Sequence, residues 1–561
     1  MVIETKEHKY VKAKDHRGPL EHHHHHPQSS SPNENPFEKC IIPPSLAHLF
    51  PPLRFHPCLP HHLFPLQGNY SFFSFLFFTY IASQSFHSLG HFIQQVDDFA
   101  SRTKTVAGHN LEPTPWHLFP PKTFEEETRQ SRAYKIIQCT YLTCLYNTTD
   151  PATTDTDRPR FDSSSRSSSP ECPEVFRFIH RDLEPWARTK ITKKHVDEAK
   201  HYAAFRVVIY QGSLYLDLYY ACVQSRMMFT IWGLLQLLER YPGLVPDVDM
   251  MFECMDKPTI NRTEHQSFPL PLFRYCTTPN HFDIPFPDWS FWGWPEVNIR
   301  PWDEEFKDIK WGSQAKSWGM KVPLAYWKGN PDVVSPIRTA LMQCNDSKWG
   351  AQIIRQDWVQ EAKEGYEKSK LSNQCNHRYK IYAEGYAWSV SLKYIISCGS
   401  LSLIISPEYE DFFSRGLMPL KNYWPVSVAP SPDGLCQSIK FAVDWGNANP
   451  SKAQGIGKEG QDFMASLSMD RIYDYMFHLI TEYSKLQDFK PAPPSSALQV
   501  CEDSLLCFAE PKQRQFLKRS TTFPSTSPPC TLQPPDADII NSLFREKQKR
   551  MDALREKESH S

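Results

Sequence analysis

The apolar residues of the chain follow helix-like and strand-like spacing from about residue 195 onward. Residues 195–205 have the 3.6-residue spacing of a helix with one apolar face. Residues 206–210 and 213–218 alternate around a Gln-Gly pair, a pattern typical of a β-hairpin. An apolar helix is predicted over 225–240, and a buried strand follows it at 249–254. Strand, helix and strand in this order indicate an α/β protein.

The same alternation of elements returns in the second half of the sequence. It predicts strands at 323–328, 379–383 and 401–405, a helix beginning at Pro336, and a helix over 386–397. We therefore predict two α/β halves that join near residues 300–320. The chain contains no internal repeat that would indicate a solenoid or a propeller.

Changes of composition divide the chain into five segments. Low-complexity sequence rich in proline and histidine occupies 1–130, and a linker or stem follows at 131–171. The two α/β lobes are predicted at 172–310 and 311–488. A Pro/Ser-rich tail that ends in a charged helix is predicted at 489–561.

The charge balance, the cysteines and one apolar run indicate which partners the protein has and in which cellular compartment it works. The chain has 62 Lys and Arg against 63 Asp and Glu, so no overall field attracts nucleic acid, and no nucleic-acid partner is expected. Fifteen cysteines and the glycosylation sequons at Asn69, Asn147, Asn261 and Asn345 favour the secretory lumen. The apolar run at 71–82 is about a dozen residues where ~20 are needed to span a bilayer, and it is interpreted as a degenerate single-pass anchor.

Three features that could carry chemistry lie at predicted strand ends, where open α/β sheets bind ligands. Asp256 could accept a proton from an attacking hydroxyl, although an aspartate that caps a turn before proline is the commoner situation. Gly385 lies between a strand and a helix, where a phosphate can approach, and Lys393 could add charge. Lys328 and Arg338 could clamp a diphosphate, with an ordinary surface loop as the alternative.

Other patterns point to a metal, a dinucleotide or a sugar. Asp247 and Asp249 could hold a divalent cation, but the same spacing recurs twice in predicted linkers, so no metal site is expected. The GxGxxG at 455–460 lacks the strand that a dinucleotide fingerprint needs directly before it, and a flexible loop is predicted there. Trp289 and Trp292 belong to an aromatic stretch that fits sugar stacking and core packing equally.

Several motifs occur in order along the two predicted lobes. They are FIHRDLEPW at 178–186, FPDWSFW at 286–292, AYWKG at 325–329, SPIR at 335–338 and YKIYAEG at 379–385. Together they resemble glycosyltransferase family 90, the capsule-associated-protein and rumi-type protein O-glucosyltransferases, and the plant branch of that family in particular. The resemblance covers about residues 172–486.

The resemblance implies an α/β fold with two Rossmann-like lobes of GT-B type, a disordered N-terminal stem and a disordered C-terminal tail. It also implies an inverting transferase that uses a UDP-sugar as co-substrate and no metal or other cofactor. The first lobe would then hold the acceptor side with the general base, which matches Asp256, and the second lobe would hold the UDP-sugar.

The resemblance also places residues around both substrates. On the donor side it implies the residues Gly329, Asn330, Arg338, Gly385, Tyr386, Ala387, Trp388, Ser389, Ser391 and Lys393. The rumi-type enzymes carry an arginine where this chain has Ser391, so Lys393 or the helix N-terminus would compensate. On the acceptor side Arg226 matches a family arginine, and the aromatic stretch adds Trp289 and Trp292.

The predicted activity is transfer of glucose or xylose from UDP-glucose or UDP-xylose to a hydroxyl of a protein or glycan acceptor. A cell-wall polysaccharide xylosyltransferase of the same fold is one alternative. A catalytically inactive relative that binds glycans or serves as a scaffold is the other. The implied location is the lumen of the Golgi or endoplasmic reticulum, with the full-length chain a type II membrane protein.

Overall fold

A computed structural model describes residues 139–140, 142–144, 169–428, 431 and 433–559, and the predicted anchor at 71–82 lies outside them. The helices are α1 Phe178–Leu183, α2 Lys193–Ala199, α3 Arg226–Arg240, α4 Trp302–Gln314, α5 Pro336–Met342, α6 Trp358–Lys363, α7 Ser391–Ser397, α8 Gly434–Ala448, α9 Pro450–Ala465, α10 Met469–Ser484, α11 Glu502–Phe508, α12 Pro511–Arg519 and α13 Ala537–Ser559. The strands are β1 Phe205–Tyr210, β2 Ser213–Leu218, β3 Val248–Phe252, β4 Phe273–Arg274, β5 Ile284–Pro285, β6 Val322–Gly329, β7 Ala351–Arg355, β8 His377–Tyr382, β9 Leu401–Ile405, β10 Trp424–Val426 and β11 Leu498–Val500.

The first sheet is mixed, with strand order β11-β2-β1-β3-β4-β5. The predicted hairpin is present, and both turn residues, Gln211 and Gly212, have positive φ, as a two-residue hairpin turn requires. Strand β1 pairs antiparallel with β2 and β3, whereas β3, β4 and β5 are parallel. The sheet is therefore mixed and differs from a Rossmann-like one, because β1 pairs antiparallel both with β2 across the two-residue turn and with β3.

The second sheet is parallel throughout, with strand order β10-β9-β8-β6-β7. Parallel strands need crossover connections, and helices α5 and α7 lie in two of these connections. The α/β class predicted for this half is confirmed. The helix predicted over 386–397 is shorter than expected, since it begins only at Ser391 and irregular turns precede it.

The GxGxxG sequence forms part of a helix and not the flexible loop expected. It lies inside α9, which packs closely on the turn before β9. A Cβ atom added at Gly457 would lie 2.6 Å from the carbonyl oxygen of Gly399, and one added at Gly460 would lie 2.6 Å from that of Asn422. The glycines are therefore explained by close backbone packing, which outweighs their poor helix propensity.

The C-terminal segment is ordered, in contrast to the disordered tail expected from its Pro/Ser content. Strand β11 extends the first sheet by pairing with β2, and three helices follow it. Three disulfides bind this segment to residues far earlier in the chain, namely Cys139–Cys507, Cys144–Cys501 and Cys172–Cys530. Strand pairing and covalent links thus order a segment that its composition alone does not.

Three more disulfides join residues that are closer together in the sequence. Cys222–Cys254 joins the loop before α3 to the end of β3. Cys375–Cys398 joins the turn before β8 to the end of α7. Cys344–Cys436 joins the end of α5 to α8. Within the described ranges every helix is too short or too polar to cross a bilayer.

Candidate functional site

The structure contains a cavity of about 230 Å³. The segment 289–299 and the end of β3 line one side of it, and the carboxyl ends of β6 and β8 line the other side. Most of the predicted site residues line it: Arg226, Asp256, Trp289, Gly329, Asn330, Arg338, Gly385, Tyr386, Trp388, Ser389 and Ser391. Residues predicted in two separate lobes are thus brought to one site. Three predicted residues, Ala387, Lys393 and Trp292, do not line the cavity.

Asp256 follows β3 and is held by the first residue of α3. The Nη1 of Arg226 donates to Asp256 Oδ1 at 2.6 Å and to the Cys254 carbonyl at 3.0 Å. The Arg226 guanidinium also lies over the ring of Trp289, 4.3 Å from its centroid. Asp256 Oδ2 has no hydrogen-bond partner among the described residues. The carboxylate is therefore fixed through one oxygen, and the other can accept a proton or a hydrogen bond from a ligand.

Arg338 connects the two loops that follow β6 and β8. It lies in the first turn of α5, which Ser335 caps by accepting the Arg338 backbone N–H at 3.3 Å. Its guanidinium donates to the carbonyls of Asn330 at 2.8 Å and Ala383 at 3.1 Å, and to Ser389 Oγ at 3.5 Å. Gly385 permits this position, because a Cβ there would lie 3.2 Å from Arg338 Nη2.

The charge of Arg338 is not balanced by an ion pair within the described residues. Burial lowers its pKa to about 10, and the more distant carboxylates of Asp256 and Glu384 only partly oppose this. A cation that is desolvated beside carbonyl and hydroxyl groups stabilises an anion that enters the cavity. Arg338 is therefore the group best suited to hold a phosphate.

The loop between β8 and α7 supplies further polar groups beside Arg338. The hydroxyls of Ser389 and Ser391 lie 2.9 Å apart, and the Ser389 backbone N–H donates to Tyr382 Oη at 3.1 Å. The side chain of Tyr386 lies under the Lys257 ammonium, 4.1 Å from its ring centroid. This loop therefore presents two hydroxyls, and no arginine, to the cavity.

Lys393 and Trp292 are core residues. The Lys393 side chain is 1% exposed, and its Nζ lies 2.7 Å from Asp288 Oδ2. Trp292 packs against Gly233, where a Cβ would meet its ring at 2.4 Å, and its indole N–H donates to Tyr473 Oη at 3.0 Å. Ala387 is also buried. Sequence spacing placed these residues near the site but could not show which way their side chains point.

Sequence reasoning missed Lys380, which lies in β8 and lines the cavity. It is 3% exposed, its Nζ donates to Gln374 Oε1 at 3.0 Å, and it lies over the Tyr326 ring at 4.7 Å. Burial alone lowers its pKa to about 7. A lysine between the apolar residues of a buried parallel strand was the signal in the sequence that could have found it.

The carboxylates considered for a metal have other partners. Arg206 Nε donates to Asp249 Oδ1 at 2.7 Å, and both side chains are buried. Asp247 Oδ1 accepts the backbone N–H of Gln211 at 2.7 Å. The cluster of Cys172, His478 and Cys530 in the described residues contains the disulfide between its two cysteines, so their sulfurs are not free ligands.

Comparison with known proteins agrees with the motif resemblance. The model of the family described as glycosyl transferase family 90 matches residues 167–559. The chain is 25% identical over 354 residues to O-glucosyltransferase rumi of Drosophila melanogaster, and the alignment covers 60% of this chain and 83% of that protein. It is 26% identical over 345 residues to protein O-glucosyltransferase 1 of Bos taurus, and this alignment covers 57% of this chain and 82% of that protein.

A solved structure is also similar, though only remotely. The pneumococcal O-GlcNAc transferase GtfA, in complex with UDP and GlcNAc, matches with a TM-score of 0.25 and 8% identity. The match covers 50% of this chain and 65% of that chain. A likeness this remote carries no weight for the fold or the site.

Proposed function

The chain belongs to glycosyl transferase family 90 and is a glycosyltransferase, and from that premise we propose that it transfers glucose or xylose from a UDP-sugar to a hydroxyl of a protein or glycan. Glucose is the first choice of sugar and a protein the first choice of acceptor, because the similar curated proteins are named O-glucosyltransferases and one of them a protein O-glucosyltransferase. The proposed reaction inverts the anomeric carbon and needs no metal ion.

One observation carries this proposal: a carboxylate and an unbalanced cation face the same cavity from opposite sides. Asp256 approaches from the end of β3, and Arg338 from the ends of β6 and β8. A displacement at an anomeric carbon needs a base on one side and a stabilised leaving group on the other. The pair supplies both functions.

The proposed step is a single in-line displacement. The acceptor hydroxyl oxygen forms a bond to the anomeric carbon as the bond from that carbon to the UDP oxygen breaks. The hydroxyl proton passes to Asp256 Oδ2, and the electron pair leaves with UDP. Arg338 and the hydroxyls of Ser389 and Ser391 stabilise the negative charge on the diphosphate.

We assign a positioning role to Arg226. Its hydrogen bond to Asp256 Oδ1 fixes the direction of Oδ2, and Trp289 supports the guanidinium from behind. Trp289 is 1% exposed and its ring is covered by Arg226, so it holds Arg226 in place and does not stack on a sugar. Replacement of either residue would then disturb the base without touching the donor.

The architecture and the disulfides support two further parts of the proposal. The two sheets would be the lobes of a GT-B fold, with the donor on the parallel sheet and the acceptor on the mixed one. Six disulfides among the described residues support folding in an oxidising compartment such as the endoplasmic reticulum or Golgi lumen. The sequon residue Asn345 is exposed, as glycosylation in that compartment requires.

The test is sugar release and transfer by the secreted full-length protein with UDP-glucose and UDP-xylose, with and without EDTA. Asp256→Asn should lower turnover by about 10²- to 10⁴-fold, the usual contribution of a general base, while the Kd for UDP stays the same. Asp247→Asn is the matched control, because that carboxylate lies outside the cavity.

Each other result has a definite meaning. Activity that survives in Asp256→Asn would show that another group is the base. Loss of activity with EDTA would overturn the metal-free mechanism. UDP binding without turnover on peptide or polysaccharide acceptors would favour the inactive, glycan-binding alternative.

A further inference from the structure

Two cations of the cavity have no ion pair among the described residues, and they lie at different depths. Arg338 hydrogen-bonds the carbonyl of Ala383, just after β8 ends. Lys380 lies three residues earlier along the same strand. Since a parallel strand rises ~3.3 Å per residue, these two positions of the backbone are about 10 Å apart.

The two cations also differ in their relation to Asp256. The Asp256 carboxylate is close enough to Arg338 to raise the pKa of its guanidinium, although burial outweighs this effect. The pKa of Lys380 responds to burial alone. In the proposed reaction the reacting carbon lies beside Asp256 and the diphosphate beside Arg338. The part of the cavity that Gln374 and Lys380 line is then left for the nucleoside.

Resting on the proposed function, we propose that Lys380 and Gln374 bind the hydrogen-bonding edge of the uracil base and select uridine over cytidine nucleotides. Uracil presents two carbonyl oxygens on either side of an N–H group. The Lys380 ammonium donates to the C4 carbonyl oxygen, which is the group that cytosine lacks. Gln374 Oε1, which now accepts from Lys380 at 3.0 Å, accepts the uracil N–H.

The selectivity follows from the chemistry of the ammonium group. The charged form of lysine has three donors and no acceptor, and a carbonyl oxygen that accepts from it favours that form. Cytosine carries an amino group where uracil carries its C4 carbonyl. The N–H groups of a cytosine in this position would therefore face the N–H groups of the Lys380 ammonium, and no hydrogen bond could form between them. A buried donor left without a partner costs roughly 1–3 kcal/mol, which corresponds to about 5- to 150-fold in affinity.

The surroundings of the pair suit a flat and mostly apolar ring. Leu371 and Ile395 line this part of the cavity, and so does Cys398. The disulfide from Cys398 to Cys375 fixes the residue next to Gln374. Gln374 Nε2 donates to the Ser369 carbonyl at 3.1 Å, which turns Oε1 toward Lys380.

In the empty protein the Lys380 ammonium has a hydrogen bond to Gln374 and a contact with the Tyr326 ring, but no carboxylate balances its charge. A buried ammonium without a carboxylate costs free energy, which an apolar side chain of similar length avoids. Lys380→Met should therefore leave the thermal midpoint unchanged or raise it. A lysine kept for structural reasons would behave in the opposite way.

The experiment compares the Kd of UDP and CDP by calorimetry for the unaltered full-length protein, Lys380→Met and a control. The unaltered protein should prefer UDP by about 5- to 150-fold. Lys380→Met should weaken UDP binding about 10- to 100-fold and bring the two Kd values together. Lys321→Met is the matched control, because Lys321 is also buried, also has its pKa lowered by burial alone, and lies outside the cavity. It should leave both Kd values unchanged.

The outcomes separate this inference from the function on which it rests. If the unaltered protein binds neither nucleotide, the proposed function fails and this inference fails with it. If it binds UDP and Lys380→Met binds UDP equally well, only this inference fails. Equal weakening of UDP and CDP would place Lys380 beside the phosphates, and that result also overturns base recognition.

Discussion

Replacing Lys393 by methionine should destabilise the protein and leave its affinity for UDP unchanged. The motif resemblance placed Lys393 near the diphosphate, whereas the structure buries its ammonium against Asp288 outside the cavity. The two assignments predict opposite results from one substitution. Lys393→Met is therefore a direct test of the site geometry.

The size of the effect follows from what remains around Asp288. Its carboxylate, 3% exposed, would lose the ammonium at 2.7 Å and keep the backbone N–H of Ser290 at 2.9 Å and the Ser290 hydroxyl. Removal of one partner of a buried ion pair costs about 3–5 kcal/mol, and the two remaining hydrogen bonds favour the lower end. Over the roughly 390 residues of the matched region, ~2.1 cal/mol/K per residue gives about 0.8 kcal/mol/K, so Tm should fall by about 4 °C.

The assay is thermal unfolding followed by circular dichroism, with the Kd for UDP measured well below Tm. The double variant Asp288→Asn with Lys393→Met should recover part of the lost stability, since no charge is then left buried alone. An unchanged Tm together with weaker UDP binding would refute the reasoning. It would show that Lys393 faces the ligand.

Two more predictions concern the donor loops. Arg338→Gln should weaken UDP binding about 10- to 100-fold in calorimetry but leave uridine binding nearly unchanged, because the lost charge acts on the phosphates. Equal losses of affinity for UDP and uridine would contradict the assignment of Arg338 to the phosphates. Burial raises the pKa of Glu384 from its ordinary value of 4.5 to about 7. Between these two pH values the folded protein keeps a proton that the unfolded chain releases, so the contribution of this proton to stability is lost as the pH rises from about 4.5 to 7. Glu384→Gln should then make Tm fall less between pH 5 and 8, and an identical pH profile would count against the raised pKa.

The elements that the sequence predicted well are those set by local patterns. The hairpin at β1 and β2 follows from period-two alternation around Gln211 and Gly212, and β9 has the predicted bounds. Arg338 and Gly385 could be found because parallel strands place the loops that follow them at one edge of the second sheet. Asp256 could be found because it directly follows a predicted strand of the first sheet.

What could not be predicted depends on contacts between distant segments. The sequence does not show whether a lysine faces a cavity or a carboxylate. Lys393 was therefore predicted at the site although it lies outside the cavity, and Lys380, which lines the cavity, was not considered. The helical state of the GxGxxG sequence arises from packing against Gly399, a residue more than fifty positions away. The order of the C-terminal segment arises from strand and disulfide partners that composition does not show.

The disulfides between the two ends of the described region have a consequence for biosynthesis. Cys139, Cys144 and Cys172 pair with cysteines 357 to 368 residues later, so the ribosome must complete nearly the whole chain before any of the three bonds can form. Until then Cys139 and Cys144 are close neighbours, and a short loop between them is easier to close than either native one. Native pairing would then proceed by thiol–disulfide exchange, and a chain that stops before Cys501 leaves all three early cysteines without their partners.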